Sequence, residues 1–138
     1  MIGILIVTHC NLGDALIEAA EFITGSVPEA VRAVSIDLKI DAEVLRKKIS
    51  DGIKSVNNNK GVIIMTDMFG GTPSNLSYSF LDEGRVEVLS GVNLPILIKA
   101  LNSREKMNLE EMADSLETYG KRSISLGSGI LKGNKRRE

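Results

Sequence analysis

The chain has 138 residues, 43% of them hydrophobic, and a formal net charge of −1 at pH 7. This length suffices for one compact domain and is too short for two ordinary ones, while the balanced charge excludes the strongly basic field of a nucleic-acid or anionic-membrane binder. The single cysteine, Cys10, excludes an intrachain disulfide and a Cys/His metal cluster. With an initial apolar run too short to span a membrane and no basic leader, we expect a cytoplasmic protein without metal or cofactor.

Four strand-like runs alternate with helical patterns, which is typical of repeated βα units. The runs are residues 1–8, 31–36, 61–66 and 85–89. The third run is almost entirely apolar, as expected for a strand covered by helices on both faces. The sequence therefore predicts an α/β fold: a doubly wound, mainly parallel sheet of about four βα units in flavodoxin-like order.

Helical periodicity fills the segments between the first three strands. The first helix follows the first strand and closes at Gly25, a residue suited to the end of a helix. The second helix covers about residues 41–56. A third helix is predicted from Thr72, as N-cap with Pro73 at the first helical position, to about residue 82.

The last third of the chain predicts two more helices and a final strand. One helix follows Asn93, and another runs from Asn108, which has capping-box spacing to Glu111, to about residue 119. Polar and apolar residues alternate over 123–126, which predicts an additional edge strand with one exposed face. Residues 132–138 are predicted to be a basic, disordered tail outside a domain of residues 1–131.

The only histidine, His9, follows the first strand directly. Open α/β sheets place their ligand sites at the carboxyl ends of their strands. Asp67 follows the third strand, which can neighbour the first where the connections leave in opposite directions, so the two side chains can touch. A carboxylate bound to one imidazole nitrogen fixes the tautomer and leaves the other nitrogen free as a nucleophile.

The loop after Asp67 predicts an anion site. Gly70 and Gly71 precede a helix N-terminus, and with Thr72 and Ser74 they can place N–H and O–H donors around a phosphoryl group. Phosphoryl transfer depends on positioning and charge stabilisation, so it requires neither metal nor lysine here. Taken singly, however, such residues are more often parts of an ordinary strand-end turn, and the residues alone leave both interpretations open.

Three motifs occur in a fixed order at the ends of the first, third and fourth strands. They are TH at residues 8–9, DMFGGTPSN at 67–75 and GVNLP at 91–95. In this combination the chain, from residue 1 to about 126, resembles the IIA domain of the mannose-type sugar phosphotransferase system. The resemblance implies a phosphocarrier that takes a phosphoryl group from the histidine protein HPr and passes it to a separate EIIB protein.

The resemblance also implies roles for the candidate residues. His9 matches the residue phosphorylated on Nε2, and Asp67 matches the carboxylate paired with the other ring nitrogen. The residues that match the phosphoryl-binding loop are Gly70, Gly71, Thr72 and Ser74. Family members are homodimers whose last strand joins the partner's sheet, so residues 123–126 are the expected exchanged strand. Peripheral association with a membrane transporter is a further expectation.

One position departs from the family pattern, and other functions stay open. Cys10 stands where the family usually has glycine; we expect a small buried side chain there, although a thiol at this place could make the site sensitive to oxidation. One alternative is the phosphocarrier subunit of a dihydroxyacetone kinase system, and another is a regulatory module read by a partner without onward transfer. A flavodoxin-like binding module is disfavoured, since Phe69 is the only aromatic expected near His9.

Overall fold

The computed structural model describes residues 1–133, which form a four-stranded sheet with helices on both faces. The strands are β1 (Gly3–His9), β2 (Val31–Ile36), β3 (Val62–Thr66) and β4 (Val86–Ser90). They are parallel throughout, in the order β2-β1-β3-β4. The predicted doubly wound α/β fold and its four strands are therefore confirmed.

Six helices complete the described part of the chain. They are α1 (Leu12–Thr24), α2 (Ala42–Val56), α3 (Thr72–Tyr78), α4 (Leu94–Ser103), α5 (Leu109–Arg122) and α6 (Gly127–Leu131). Gly25 ends α1 in the left-handed conformation, and Asn108 and Glu111 form the predicted capping box of α5. Within residues 1–133, no helix combines the length and the apolar character that crossing a membrane requires.

The core has two halves, one on each face of the sheet. Alternate residues of β1 and β3 point to opposite faces, and both faces are covered. One half packs α1, α4 and α5 against residues that include Ile6 and Met65. The other packs α2 and α3 against residues that include Leu5 and Ile64. Burial on both faces explains why these strands are continuous apolar runs.

The predicted start and end of α3 are wrong. Gly71, with an extended backbone, is the N-cap, so Thr72 already lies inside the helix. The helix also ends at Tyr78 instead of continuing to residue 82. Asp82 makes an antiparallel bridge with Val86, because the chain must turn back there to enter β4.

The predicted edge strand over residues 123–126 is also wrong for the single chain. This segment connects α5 to α6. Its first residue, Ser123, donates a hydrogen bond to the carbonyl of Gly120 at 2.7 Å and accepts one from Asn93 Nδ2 at 3.1 Å, which ties it to the end of α5 and the start of α4. Ile124 and Leu126 are 83% and 78% exposed, so the alternating apolar residues are not buried within this chain. The predicted tail falls mostly on residues 134–138, which lie outside the described part.

Candidate functional site

His9 and Asp67 meet at the point where the sheet reverses its winding. β1 and β3 are neighbours, while β2 and β4 lie on their outer sides. His9 ends β1, Asp67 follows β3, and His9 Nδ1 lies 2.8 Å from Asp67 Oδ2. The backbone N–H of His9 donates to the same oxygen at 2.9 Å. The predicted contact between these two side chains is confirmed.

The contact fixes which ring nitrogen is available for chemistry. An ionised carboxylate can only accept hydrogen bonds, so Nδ1 of His9 is the donor and carries the proton. In the neutral ring, Nε2 then holds the free electron pair. The His9 side chain is 35% exposed and that of Asp67 is 11% exposed, so the carboxylate is largely covered while the ring stays partly accessible to solvent.

Asp67 is held in its charged form by the groups around it. Burial by itself would raise its pKa, but hydrogen bonds from the His9 backbone and ring, the charge of protonated His9, and the Met68 N–H together lower the pKa of Asp67 below its ordinary value. Met68 donates to Oδ1 at 3.0 Å. Asp67 is therefore a permanent negative charge beside the imidazole at neutral pH.

Residues 67–73, which we call the glycine loop, contain two glycines with different roles. Gly70 has φ +87°, a left-handed conformation that favours glycine, and a Cβ there would meet no atom within 4 Å. Gly71 has an ordinary φ of −87°, but a Cβ on it would lie 2.8 Å from His9 Cε1 and 3.4 Å from Nε2. Gly70 thus shapes the turn, and Gly71 brings the backbone against the edge of the ring that carries Nε2.

The structure separates the two hydroxyl residues expected to bind a phosphoryl group. Thr72 is half-buried in the first turn of α3, close behind Gly71. Ser74 is fully buried, and its hydroxyl lies 2.9 Å from Ser90 Oγ and 3.5 Å from Thr66 Oγ1. The hydroxyl of Ser74 therefore faces the strand ends beneath the loop. Sequence analysis did not single out Thr66 or Ser90, and their only signal is a hydroxyl residue at the carboxyl end of a predicted strand.

The turn after His9 is held by its own hydrogen bonds. Thr8 Oγ1 accepts from the Gly13 N–H at 3.0 Å and donates to the Cys10 carbonyl at 3.4 Å. Cys10 has φ +52° and an exposed side chain, so the expectation that it is buried is wrong. A left-handed conformation is one that glycine adopts without strain, which is the physical reason that glycine suits this position.

Asn93, which follows β4 at the same edge, caps α4. Its Oδ1 accepts from the Ile96 N–H at 2.9 Å, and its Nδ2 donates to Ser123. The motif around Asn93 thus forms the start of a helix. The first two motifs contribute the residues that lie close together at the site, which are His9, Asp67 and the glycine loop.

The comparisons with known proteins agree with this geometry. The EIIA-man family model, described as a PTS system fructose IIA component, matches residues 3–117. The fructose-specific EIIA component of the PTS system of Bacillus subtilis (strain 168) is 31% identical over 133 residues, which is 96% of this chain and 90% of that protein. The mannose-specific EIIAB component of Escherichia coli (strain K12) is 32% identical over 105 residues, which is 75% of this chain and 32% of that longer protein.

A solved structure of a phosphotransferase system component has the same fold as this chain. The phosphotransferase system component EIIA from Streptococcus agalactiae superposes with a TM-score of 0.82 and 28% sequence identity, over 93% of this chain and 98% of that one. The family model, the relatives and the solved structure all indicate a phosphotransferase system IIA component. The chain belongs to the EIIA-man family of phosphotransferase system IIA components.

Proposed function

We propose that this protein is a phosphocarrier of a mannose-type sugar phosphotransferase system, in which His9 accepts a phosphoryl group from phospho-HPr and donates it to a separate EIIB protein. Its role is carbohydrate uptake or the regulation of that uptake. The observation that carries the proposal is the 2.8 Å hydrogen bond between His9 Nδ1 and Asp67, which leaves Nε2 free beside the glycine loop.

The chemistry is a transfer between two histidines. The electron pair on Nε2 of His9 attacks phosphorus, the phosphorus–nitrogen bond to the donor imidazole breaks, and that bond's electron pair returns to the donor ring. The His9 ring then carries positive charge, with its proton still on Nδ1. Asp67, ionised and 2.8 Å away, stabilises this charge and holds the ring in place. Transfer to EIIB repeats the same displacement with His9 as the leaving group.

The glycine loop supplies donors to the phosphoryl oxygens. The first N–H groups of a helix have no partner within the helix, and because Pro73 has no N–H, the donors in the first turn of α3 are those of Thr72 and Ser74, which follow Gly71 at the edge of the His9 ring. In this proposal Gly70 and Gly71 bring the backbone close, and Thr72 adds its hydroxyl. Ser74 contributes through its backbone and through the position of the loop, since its hydroxyl is engaged beneath it.

The surface around His9 suits a protein partner. Four large apolar side chains are exposed in the segments that follow the strands at this edge of the sheet. They are Leu12 at the start of α1, Leu38 after β2, and Met68 and Phe69 after β3. Exposed apolar residues that surround a reactive group are typical of an interface that forms and dissociates. We assign this apolar rim to the docking of HPr and EIIB in turn, which is consistent with a cytoplasmic protein associating peripherally with a membrane transporter.

A homodimer completes the proposal. β4 is an edge strand, and a groove of about 410 Å³ runs beside it, lined by residues that include Val88, Ser90 and Ile96. Residues 123–126 carry alternating apolar side chains that are exposed in the single chain. An extended segment from a second copy could pair with β4 and bury these side chains. Sedimentation of the full chain beside a variant with Ile124→Asp tests this part: a dimer that dissociates in the variant supports exchange.

The transfer itself is tested by following a labelled phosphoryl group. The protein is mixed with phosphoenolpyruvate, Enzyme I and HPr, and a mannose-family EIIB protein is added afterwards. The expected result is a label that requires HPr to reach this chain and leaves it when EIIB is added. Label that arrives but does not move on would favour the regulatory alternative, and label that never arrives would refute the proposal.

A further inference from the structure

Four hydroxyl groups meet beneath the glycine loop, and Ser90 is at their centre. The Oγ of Ser90 lies 2.9 Å from Thr66 Oγ1, 2.9 Å from Ser74 Oγ and 3.4 Å from Tyr78 OH. Thr66 ends β3, Ser90 ends β4, and Ser74 and Tyr78 belong to α3. The network therefore joins three separate elements, and both Thr66 and Ser74 are fully buried.

This network closes the base of the loop that carries the site. Thr66 directly precedes Asp67, and Ser74 directly follows residues 67–73, so the two hydroxyls bracket the whole loop. Their own separation is 3.5 Å, whereas each is 2.9 Å from Ser90. Ser90 is thus the stronger link between the two ends.

Tyr78 supports the far side of the same loop. Its ring contacts that of Phe69, with centroids 6.2 Å apart and planes tilted by 53°. Its hydroxyl reaches back to Ser90. One side chain therefore links the exposed part of the loop to the hydroxyl network at its base.

We propose that Ser90 is a positioning residue for phosphoryl transfer: it sets the distance between the glycine loop and the His9 ring. The inference rests on the proposed phosphocarrier function of His9. The position of the loop has little tolerance, because Gly71 already approaches the ring so closely that a Cβ would be 2.8 Å from Cε1. A displacement of the loop moves both its N–H donors and Asp67 relative to Nε2.

The test compares three serine variants. Ser90→Ala leaves Thr66 and Ser74 joined only by their 3.5 Å contact, and we expect the maximal rate of phosphoryl transfer from phospho-HPr to fall by about tenfold or more. Ser90→Thr keeps a hydroxyl and should restore most of the rate. Ser77→Ala is the matched control, since Ser77 is a buried serine of α3 whose hydroxyl donates at 2.6 Å to the Pro73 carbonyl of the same helix.

A second readout does not depend on HPr. The nitrogen-15 NMR signals of the His9 ring report on the hydrogen bond between Nδ1 and Asp67. We expect Ser90→Ala to shift these signals and Ser77→Ala to leave them at the wild-type positions. If the wild type accepts no phosphoryl group, the proposed function fails. The spectrum then still shows whether Ser90 sets the position of the loop and Asp67 relative to the His9 ring. An unchanged spectrum together with a wild-type rate in Ser90→Ala would overturn the inference.

Two further results keep the test decisive. Equal slowing by Ser77→Ala would show that any loosening of α3 suffices, and Ser90 would lose its special role. If Ser90→Ala does not fold, Tyr78→Phe replaces it, because this variant retains the ring contact with Phe69 and deletes only the outer hydroxyl of the network. A rate about threefold below wild type is expected for Tyr78→Phe, and no change would contradict the proposal.

Discussion

Adding a single methyl group at Gly71 should slow phosphoryl transfer at the site while leaving the fold intact. The alanine Cβ would lie 2.8 Å from His9 Cε1, whereas carbon atoms in contact prefer about 3.5 Å or more. The ring or the loop must therefore move by about 0.7 Å, which is the difference between these distances. A shift of that size strains the 2.8 Å hydrogen bond to Asp67 and moves Nε2 from its place beside the loop.

The expected consequences differ for rate and for stability. Misplacement of a reacting group by about 1 Å can cost about 10²-fold, so we expect phosphoryl acceptance by Gly71→Ala to slow by about tenfold to 10²-fold. Because His9 is partly exposed, its ring can yield, and the free energy of unfolding should fall by only about 1 kcal/mol, the lower end of what overpacking costs. Single-turnover transfer from phospho-HPr measures the rate, and urea denaturation measures the stability.

A control separates contact from general destabilisation. Gly25 at the end of α1 has φ +78°, and a Cβ there would meet nothing within 4 Å. Gly25→Ala should therefore lose about 1 kcal/mol through backbone strain alone and transfer at the wild-type rate. A wild-type rate in Gly71→Ala, or equal slowing in both variants, would refute the argument that the contact between Gly71 and His9 matters for transfer.

Three other perturbations follow from the same geometry. Asp67→Asn should slow phosphoryl acceptance on the order of 10²-fold, since the ring loses the charge that orients it, and an unchanged rate would mean that the pair plays no part. The lowered pKa of Asp67 implies that its stabilising contribution is complete above the pKa of an unfolded aspartate, about 3.9, and is lost as the pH falls through the lower folded pKa. Urea denaturation from pH 6 to 3 should therefore show a steeper loss of stability in the wild type than in Asp67→Asn, and parallel curves would contradict this. Cys10→Gly should raise the free energy of unfolding by about 0.5–1 kcal/mol because it relieves a left-handed φ of +52°, and a decrease would show that Cys10 is not strained.

The fold was predictable because its two central strands are largely continuous apolar runs and several of its helix ends are marked by residues close in sequence. β1 and β3 are buried on both faces, so their sequences are apolar up to the polar residues at their carboxyl ends and stand out from the rest of the chain. The capping pair of Asn108 and Glu111 and the terminal Gly25 mark helix ends by chemistry that needs no distant residue. The contact of His9 with Asp67 followed from the strand order, which places two strand ends side by side.

What could not be predicted are the features for which the nearby residues allow more than one arrangement. Both Gly71 and Thr72 are acceptable N-caps, and the local sequence does not decide between them. The position of the Ser74 hydroxyl, 2.9 Å from Ser90 Oγ of another strand, likewise depends on a residue distant in sequence, while the role of Ser74 in phosphoryl binding stays a prediction. The alternation over residues 123–126 indicates an extended segment but does not say which edge it pairs with, or in which copy.

The most direct measurement of the central claim is the intact mass of the protein after incubation with phosphoenolpyruvate, Enzyme I and HPr, taken before and after mild acid. The wild type should gain the mass of one phosphoryl group and lose it in acid, as a phosphohistidine does. His9→Ala, which removes a partly exposed residue at the end of β1, should fold and show no gain. An acid-labile gain in His9→Ala, or no gain in the wild type, would contradict the assignment of His9 as the phosphoryl acceptor.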